Sequence, residues 1–174
     1  MEVLKISIDW VKSELLSAKI VWLFSFLTLI TSLGFATLGK TTTAKAFVLP
    51  LIISAAILFV IGVGLYAANK PRIKQFEYEY SKNPKEFIDA EIKRTSKSDN
   101  DFSIVFIVLP LIIITSAILF ITFPSIKSRV INTTIILTVV FLMIVDSNTS
   151  ARNAKYREDL LKIHNDGKSI SKKQ

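Results

Sequence analysis

The chain has 174 residues, 51% of them apolar, with 22 Lys and Arg against 14 Asp and Glu, one His and no Cys. A mean hydropathy of +0.47 is higher than a soluble domain of this length needs. The lack of Cys excludes disulfide frameworks, thiol nucleophiles and thiolate metal sites together. The apolar residues are gathered in four blocks, each long enough to cross a hydrocarbon core of roughly 30 Å at about 1.5 Å per residue. The sequence thus predicts an all-α integral membrane protein with four transmembrane helices arranged as two hairpins.

Residues 1–19 form an amphipathic N-terminal helix. Leu4, Ile8, Val11 and Leu15 recur at helical spacing, with Val3, Trp10 and Leu16 beside them, and Glu2, Lys5, Asp9, Lys12 and Glu14 fill much of the remainder. Two roles are open to it. It lies on the membrane with Trp10 at head-group level, or it packs on the other cytoplasmic helices. Its early acidic residues distinguish it from a cleavable leader.

The first transmembrane hairpin occupies 20–68, with spans at 20–38 and 46–68 and a short link between them. A charged cytoplasmic helical segment follows at 69–101. Within it Ile73, Phe76 and Tyr80 share a face beyond Pro71. Asn83-Pro84-Lys85-Glu86 then reads as a helix start, with Asn83 as cap, Pro84 at the first helical position and Glu86 reaching back. Phe87, Ile88 and Ile92 give the new helix an apolar stripe, and the polar stretch 95–101 is predicted as loop. The second hairpin occupies 102–145, with spans at 102–123 and 130–145. A basic cytoplasmic helix and tail complete the chain at 146–174. There Tyr156, Leu160 and Ile163 lie on one side, Gly167 is the expected stop, and 168–174 is expected to be disordered. Pro50 and Pro110 fall inside spans and are expected to kink them.

Orientation follows from the cations. The segments 1–19, 69–101 and 146–174 together carry 18 of the 22 Lys and Arg, and the two short links carry Lys40, Lys45, Lys127 and Arg129. Basic residues concentrate on the cytoplasmic side of membrane proteins. Both termini are therefore expected in the cytoplasm. The formal charge of +8 is accounted for by these flanks and by anionic lipid head groups, so no nucleic-acid partner is expected.

A tandem duplication is also suggested. Ile20-Val21-Trp22 and Ile30-Thr31-Ser32 are echoed by Ile104-Val105-Phe106 and Ile114-Thr115-Ser116, both at an offset of 84 residues, which sets Asn69 on Asn153. A competing match sets 48–53 on 108–113, both reading Val-Leu-Pro-Leu-Ile-Ile, at an offset of 60. The two cannot both be real, because the second pairs spans of opposite direction.

Chemistry is sparse. Intramembrane carboxylates and cations are expensive and usually mark ion or proton pathways. Here none lies deep in a span, and Asp146 at the edge of the fourth is the nearest. His164 has no second ligand nearby in sequence, so no metal or cofactor is expected, and no catalytic motif points to an enzyme. The hydroxyls of the spans either line a polar path or bond to helix backbone. Ser32/Ala36 and Gly64/Ala68 are spaced as small pairs that let helices approach, and with Thr115 and Ser116 they form the candidate helix-packing or partner surface. Phe76, Tyr78, Tyr80 and Phe87 form the candidate cytoplasmic interaction surface. In general layout the chain resembles the small polytopic immunity proteins by which bacteria resist membrane-acting toxins. That resemblance implies a non-enzymatic protein that binds a toxin or another membrane protein in the bilayer. Alternatives are a subunit of an oligomeric channel or transporter, which would make it a homo-oligomer, and an adaptor recruiting a cytoplasmic partner through 70–94.

Overall fold

A computed structural model describes residues 1–171, with side chains described through Asn165. Among the described residues every element is helical: α1 (Glu2–Leu38), α2 (Thr42–Asn69), α3 (Arg72–Lys82), α4 (Pro84–Thr122) and α5 (Ile126–Ser171). Four of these stretches are long and apolar enough to cross a membrane.

Local chemistry sets the breaks. Thr41 accepts a hydrogen bond from the Ala44 amide at 3.1 Å and starts α2. Pro71, which has no amide hydrogen, separates α2 from α3. Asn83 starts α4 as expected from its sequence: its side chain accepts from the Glu86 amide at 3.2 Å and donates to the Glu86 carboxylate at 3.3 Å. The Ser125 hydroxyl accepts from the Ser128 amide at the start of α5.

The N-terminal stretch 1–19 runs directly into the first span as one helix, α1, in keeping with the sequence. Other boundaries differ from the sequence expectation. The stretch 95–101, expected as loop, is helical and carries α4 from its charged first part into the third apolar stretch. Its hydroxyl side chains bond back into the helix, Thr95 to Glu91 O and Ser98 to Arg94 O, while Asp99 is held by α5. Polarity here therefore marks a helix with local and tertiary partners. Helix α5 likewise continues past Gly167 to Ser171, so 168–171 is helical where disorder was expected, and 172–174 lie outside the described residues. Pro50 and Pro110 sit inside α2 and α4.

An apolar core cluster lies outside the apolar stretches, at the end of the bundle that holds α3, and further apolar residues (Val21, Ala55, Leu58, Val139) are buried within those stretches. Val3, Trp10 and Val11 of α1 meet Phe76 of α3, Phe87 of α4 and Tyr156 and Leu160 of α5. Leu4, Ile73, Tyr80, Ile88 and Ile163 pack around them. Trp10 is thus stacked against Tyr156 at 5.4 Å, inside a water-excluding cluster. Ordinary hydrophobic burial drives this association.

Within the apolar stretches the contacts are of a different kind. Lipid is as apolar as Leu, so helices there associate through close approach and hydrogen bonds. Ser25 donates to Ala55 O at 2.7 Å and Ser32 to Val48 O at 2.8 Å, and Phe35 lies against Phe47. These pairs run in opposite order along α1 and α2, as antiparallel neighbours must. Trp22 fills the groove at Gly62, where a β-carbon would lie 2.5 Å from the indole. Helix α5 meets α1 through Phe24 and Phe141, stacked at 3.7 Å, and meets α2 through the hydroxyls of Ser54 and Thr138, 2.6 Å apart.

The helix bounds repeat at an offset of 84. Helix α1 ends at Leu38 and α4 at Thr122, and α2 begins at Thr42 and α5 at Ile126. Burial repeats as well: Val3 and Phe87, Ser7 and Glu91, Val11 and Thr95, Ser32 and Ser116, Ala55 and Val139, Asn69 and Asn153, Phe76 and Leu160 are all buried. Among the described residues the rival offset of 60 brings no two buried positions into register.

Candidate functional site: a buried polar cluster and the exposed helix faces

The buried side of α1 overlaps only in part the stripe that hydropathy selects, sharing Val3, Trp10 and Val11 with it. Val3, Ser7, Trp10, Val11, Glu14, Ser17, Ala18 and Val21 are buried, whereas Leu4, Ile8 and Leu15 are only partly so. Small and polar residues take the inner positions because partners from the other helices await them there.

Glu14 receives Arg152 of α5, whose Nη2 donates to Oε1 at 3.1 Å, to Ser17 Oγ at 2.7 Å and to Thr149 Oγ1 at 3.0 Å. Burial pushes the Glu14 carboxyl above its ordinary range, and the Arg152 guanidinium offsets part of that rise. Glu91 is gripped by Arg94 through two parallel bonds of 2.8 Å, the bidentate geometry that makes Arg–carboxylate pairs strong. The Tyr156 hydroxyl donates to Glu91 Oε2 at 3.0 Å and lies 2.7 Å from Ser7 Oγ. Burial, then the adjacent Glu91 charge, push this phenol upward.

Trp10 sits among these groups. The Arg94 guanidinium lies 4.2 Å from its ring centroid and that of Arg72 5.7 Å, so the indole contacts two cations while stacking on Tyr156. Burial and the neighbouring Arg94 lower the Arg72 pKa. On the α4–α5 side Asn153 donates to Thr95 O at 3.0 Å and to Asp99 Oδ1 at 2.7 Å, and Arg157 pairs with Asp99 at 2.8 Å.

Perturbed titratable groups often mark functional sites, but buried ion-pair networks perturb them equally. The cluster has the second character. Each carboxylate is taken up by an arginine, the hydroxyls bond to neighbours, and the Glu14–Arg152 and Asp99–Arg157 pairs join helices distant in sequence. Buried pairs of this kind fix register more than they add stability. Among the described residues no group of three or more His, Asp or Glu converges as a metal-ligand set. His164 lies 3.2 Å from Asp89.

The residues singled out by sequence are dispersed. Ser32 and Ser116 are buried at equivalent points of α1 and α4. Ala36, Ala68 and Thr115 are exposed, and Gly64 faces open space. The glycine at a close helix approach is Gly62, which sequence reasoning passed over. Phe76 and Phe87 are buried edge to face within the core. The Tyr80 hydroxyl accepts from the Met1 amine at 3.0 Å, and Tyr78 is 67% exposed beside the shallow cleft between α3 and α4. Of these four aromatics, Tyr78 alone is largely exposed.

The Glu14–Arg152 and Asp99–Asn153–Arg157 links were also missed. One signal existed: Glu14 lies three and four residues from Val11 and Ala18 on one helix face, an acid within an apolar stripe. Most hydroxyls of the apolar stretches have partners: Ser25, Ser32 and Ser54 bond across to another helix, and others bond within their own. Thr28 bonds to Phe24 O, Thr31 to Leu27 O, Thr134 to Val130 O and Thr138 to Thr134 O. What remains exposed in the apolar region is a broad aliphatic surface, and the apolar stretch of α4 is the least buried of the four. Comparison with protein-family models, curated proteins and solved structures gives no match.

Proposed function

We propose that this is a resident membrane-binding partner protein that acts by packing its exposed helix faces against helices of another protein. In its most specific form it is a bacterial immunity protein that neutralises a membrane-acting toxin in the inner membrane. Two antiparallel membrane hairpins hold both termini in the cytoplasm, and the halves arise by tandem duplication. The observation that carries the reading is the division of labour along the helices. Polar and charged side chains are spent on internal bonds at the cytoplasmic end, while the apolar stretches, α4 above all, keep most of their side-chain surface uncovered. A protein organised in this way offers shape and apolar surface rather than reactive groups. The backbone-bonded hydroxyls favour it over a conducting path, and the burial of Phe76 and Phe87 favours it over recruitment through 70–94.

The test contrasts two glycines. Gly64→Leu places bulk where nothing lies within 4 Å, so the fold is expected to survive while partner capture is lost. In-cell crosslinking, affinity purification and mass spectrometry would be run on wild type and variant. A stoichiometric toxin or membrane partner that Gly64→Leu or Ala68→Leu fails to retain supports the reading. Solute flux through liposomes containing the purified protein alone would refute it.

A further inference from the structure

The arginines around Trp10 and Glu14 outnumber the carboxylates there. Arg94 grips Glu91 at 2.8 Å and Arg152 reaches Glu14 at 3.1 Å, which uses both acids. Arg72, at the start of α3, is the third cation and has neither a hydrogen bond nor an ion pair among the described residues. It is partly buried, with its guanidinium 5.7 Å from the Trp10 ring centroid. The groups whose charge acts on it are Arg94, Glu91 and Glu14, together with the Tyr156 phenol. Arg94 opposes its charge, and the two carboxylates are already held by other arginines. The phenol offers no relief, because burial and then Glu91 push its pKa upward and keep it neutral. A half-buried cation left without a partner is costly, and that cost falls when an anion reaches it.

Position decides which anion. The apolar stretch of α2 ends at Ala68, and Asn69-Lys70-Pro71-Arg72 follows. Four residues at about 1.5 Å each put Arg72 about 6 Å beyond that end. The head-group layer on each side of a hydrocarbon core is roughly 5–8 Å deep, so Arg72 falls within it. Phosphate oxygens are the anions of that layer. A guanidinium suits them, since its planar N–H fork meets two phosphate oxygens at once. Exposed Lys70 lies two residues earlier, its amine 5.2 Å from the Tyr66 ring centroid, and adds a second positive charge at the same level. We infer that Arg72 anchors a binding site for one phosphate group, carried by the head group of an anionic lipid, beside Trp10 where α3 meets α1 and α4. Basic groups between helices at the membrane surface bind anionic head groups in this way. Glu14 and Glu91 stay on their own arginines, and the phosphate balances the third. The site is separate from the apolar helix faces offered to a protein partner, so it stands whether or not partner capture does.

Full-length protein in a nonionic detergent would be unfolded by heat with short-chain phosphatidylglycerol, phosphatidylcholine or inorganic phosphate added at equal concentration. A ligand bound only by the folded protein raises the midpoint. Phosphatidylglycerol should raise the wild-type midpoint, and phosphatidylcholine, whose choline offsets its own phosphate, should raise it far less. Arg72→Gln should abolish the difference between the two lipids. Lys74→Gln removes an exposed cation two residues further on and should preserve that difference. Arg72→Lys keeps the charge without the fork and should retain part of it, which keeps the test open should Arg72→Gln fail to fold. Each variant is compared with itself, with and without lipid, so a change in its intrinsic stability does not enter. Inorganic phosphate that reproduces the shift in wild type and not in Arg72→Gln would support the phosphate site and overturn the lipid as its source. No shift with either probe, an undiminished shift in Arg72→Gln, or an equal loss in Lys74→Gln would overturn the site.

Discussion

Gly62 and Gly64 lie two residues apart in one apolar helix, yet they should respond oppositely to the same substitution. A β-carbon at Gly62 would lie 2.5 Å from Trp22 Cδ1 and 2.8 Å from Nε1, and one at Gly64 would meet nothing within 4 Å. The indole cannot swing aside freely, because it is packed by Tyr66 at 5.1 Å and Phe59 at 6.5 Å between centroids. Overpacking of this kind costs about 1–3 kcal/mol, whereas replacing a helical Gly by Ala gains up to about 1 kcal/mol of backbone propensity. Gly62→Ala is thus expected to destabilise by up to about 2 kcal/mol and Gly64→Ala to be neutral or mildly stabilising. Equilibrium unfolding in mixed micelles with increasing SDS fraction would measure both. Trp22→Ala removes the obstacle, so in that background Gly62→Ala should lose its penalty, a coupling that a double-mutant cycle isolates. Equal effects at 62 and 64, or strict additivity with Trp22→Ala, would refute the packing argument.

Three further outcomes follow from the buried polar cluster. Tyr156→Phe keeps the stack on Trp10 but removes the donor to buried Glu91, and should cost about 1–3 kcal/mol in the same unfolding assay. Asn153→Leu should cost a similar amount by removing both of its bonds across to α4, to Thr95 O and Asp99 Oδ1, whereas Asn69→Leu, which loses only a bond to Leu65 O in its own helix, should cost about 0.5–1.5 kcal/mol. Glu14 binds its proton more readily folded than unfolded, so its favourable contribution is complete below the ordinary value of 4.5 and fades as pH rises through its raised folded value. Stability profiles of wild type and Glu14→Gln should diverge across that window, with the wild type losing more as pH rises, and parallel profiles would refute the assignment.

Hydropathy alone determined where the spans lie, because a bilayer acts on each stretch of chain independently of the rest: about twenty apolar residues suffice whatever they pack against. The Asn83 start of α4 was equally legible, since a cap is satisfied within three residues. The repeated Ile-Thr-Ser triplets foreshadowed the offset at which helix bounds and burial recur. The rotation of each helix was not legible. In lipid every face of a span is apolar, so no stripe distinguishes Gly62, against Trp22, from Gly64, against nothing. Only packing sets that phase. Polar positions outside the spans were hidden for a different reason. Glu14 and Asn153 resemble solvated residues until partners 138 and 58 positions away are brought to them. The same long-range partners turned 95–101 from an apparent loop into helix and drew Trp10 into the core. The tertiary structure decided these points, because the free energy of a buried polar group depends on what faces it across space and not on its neighbours in the chain.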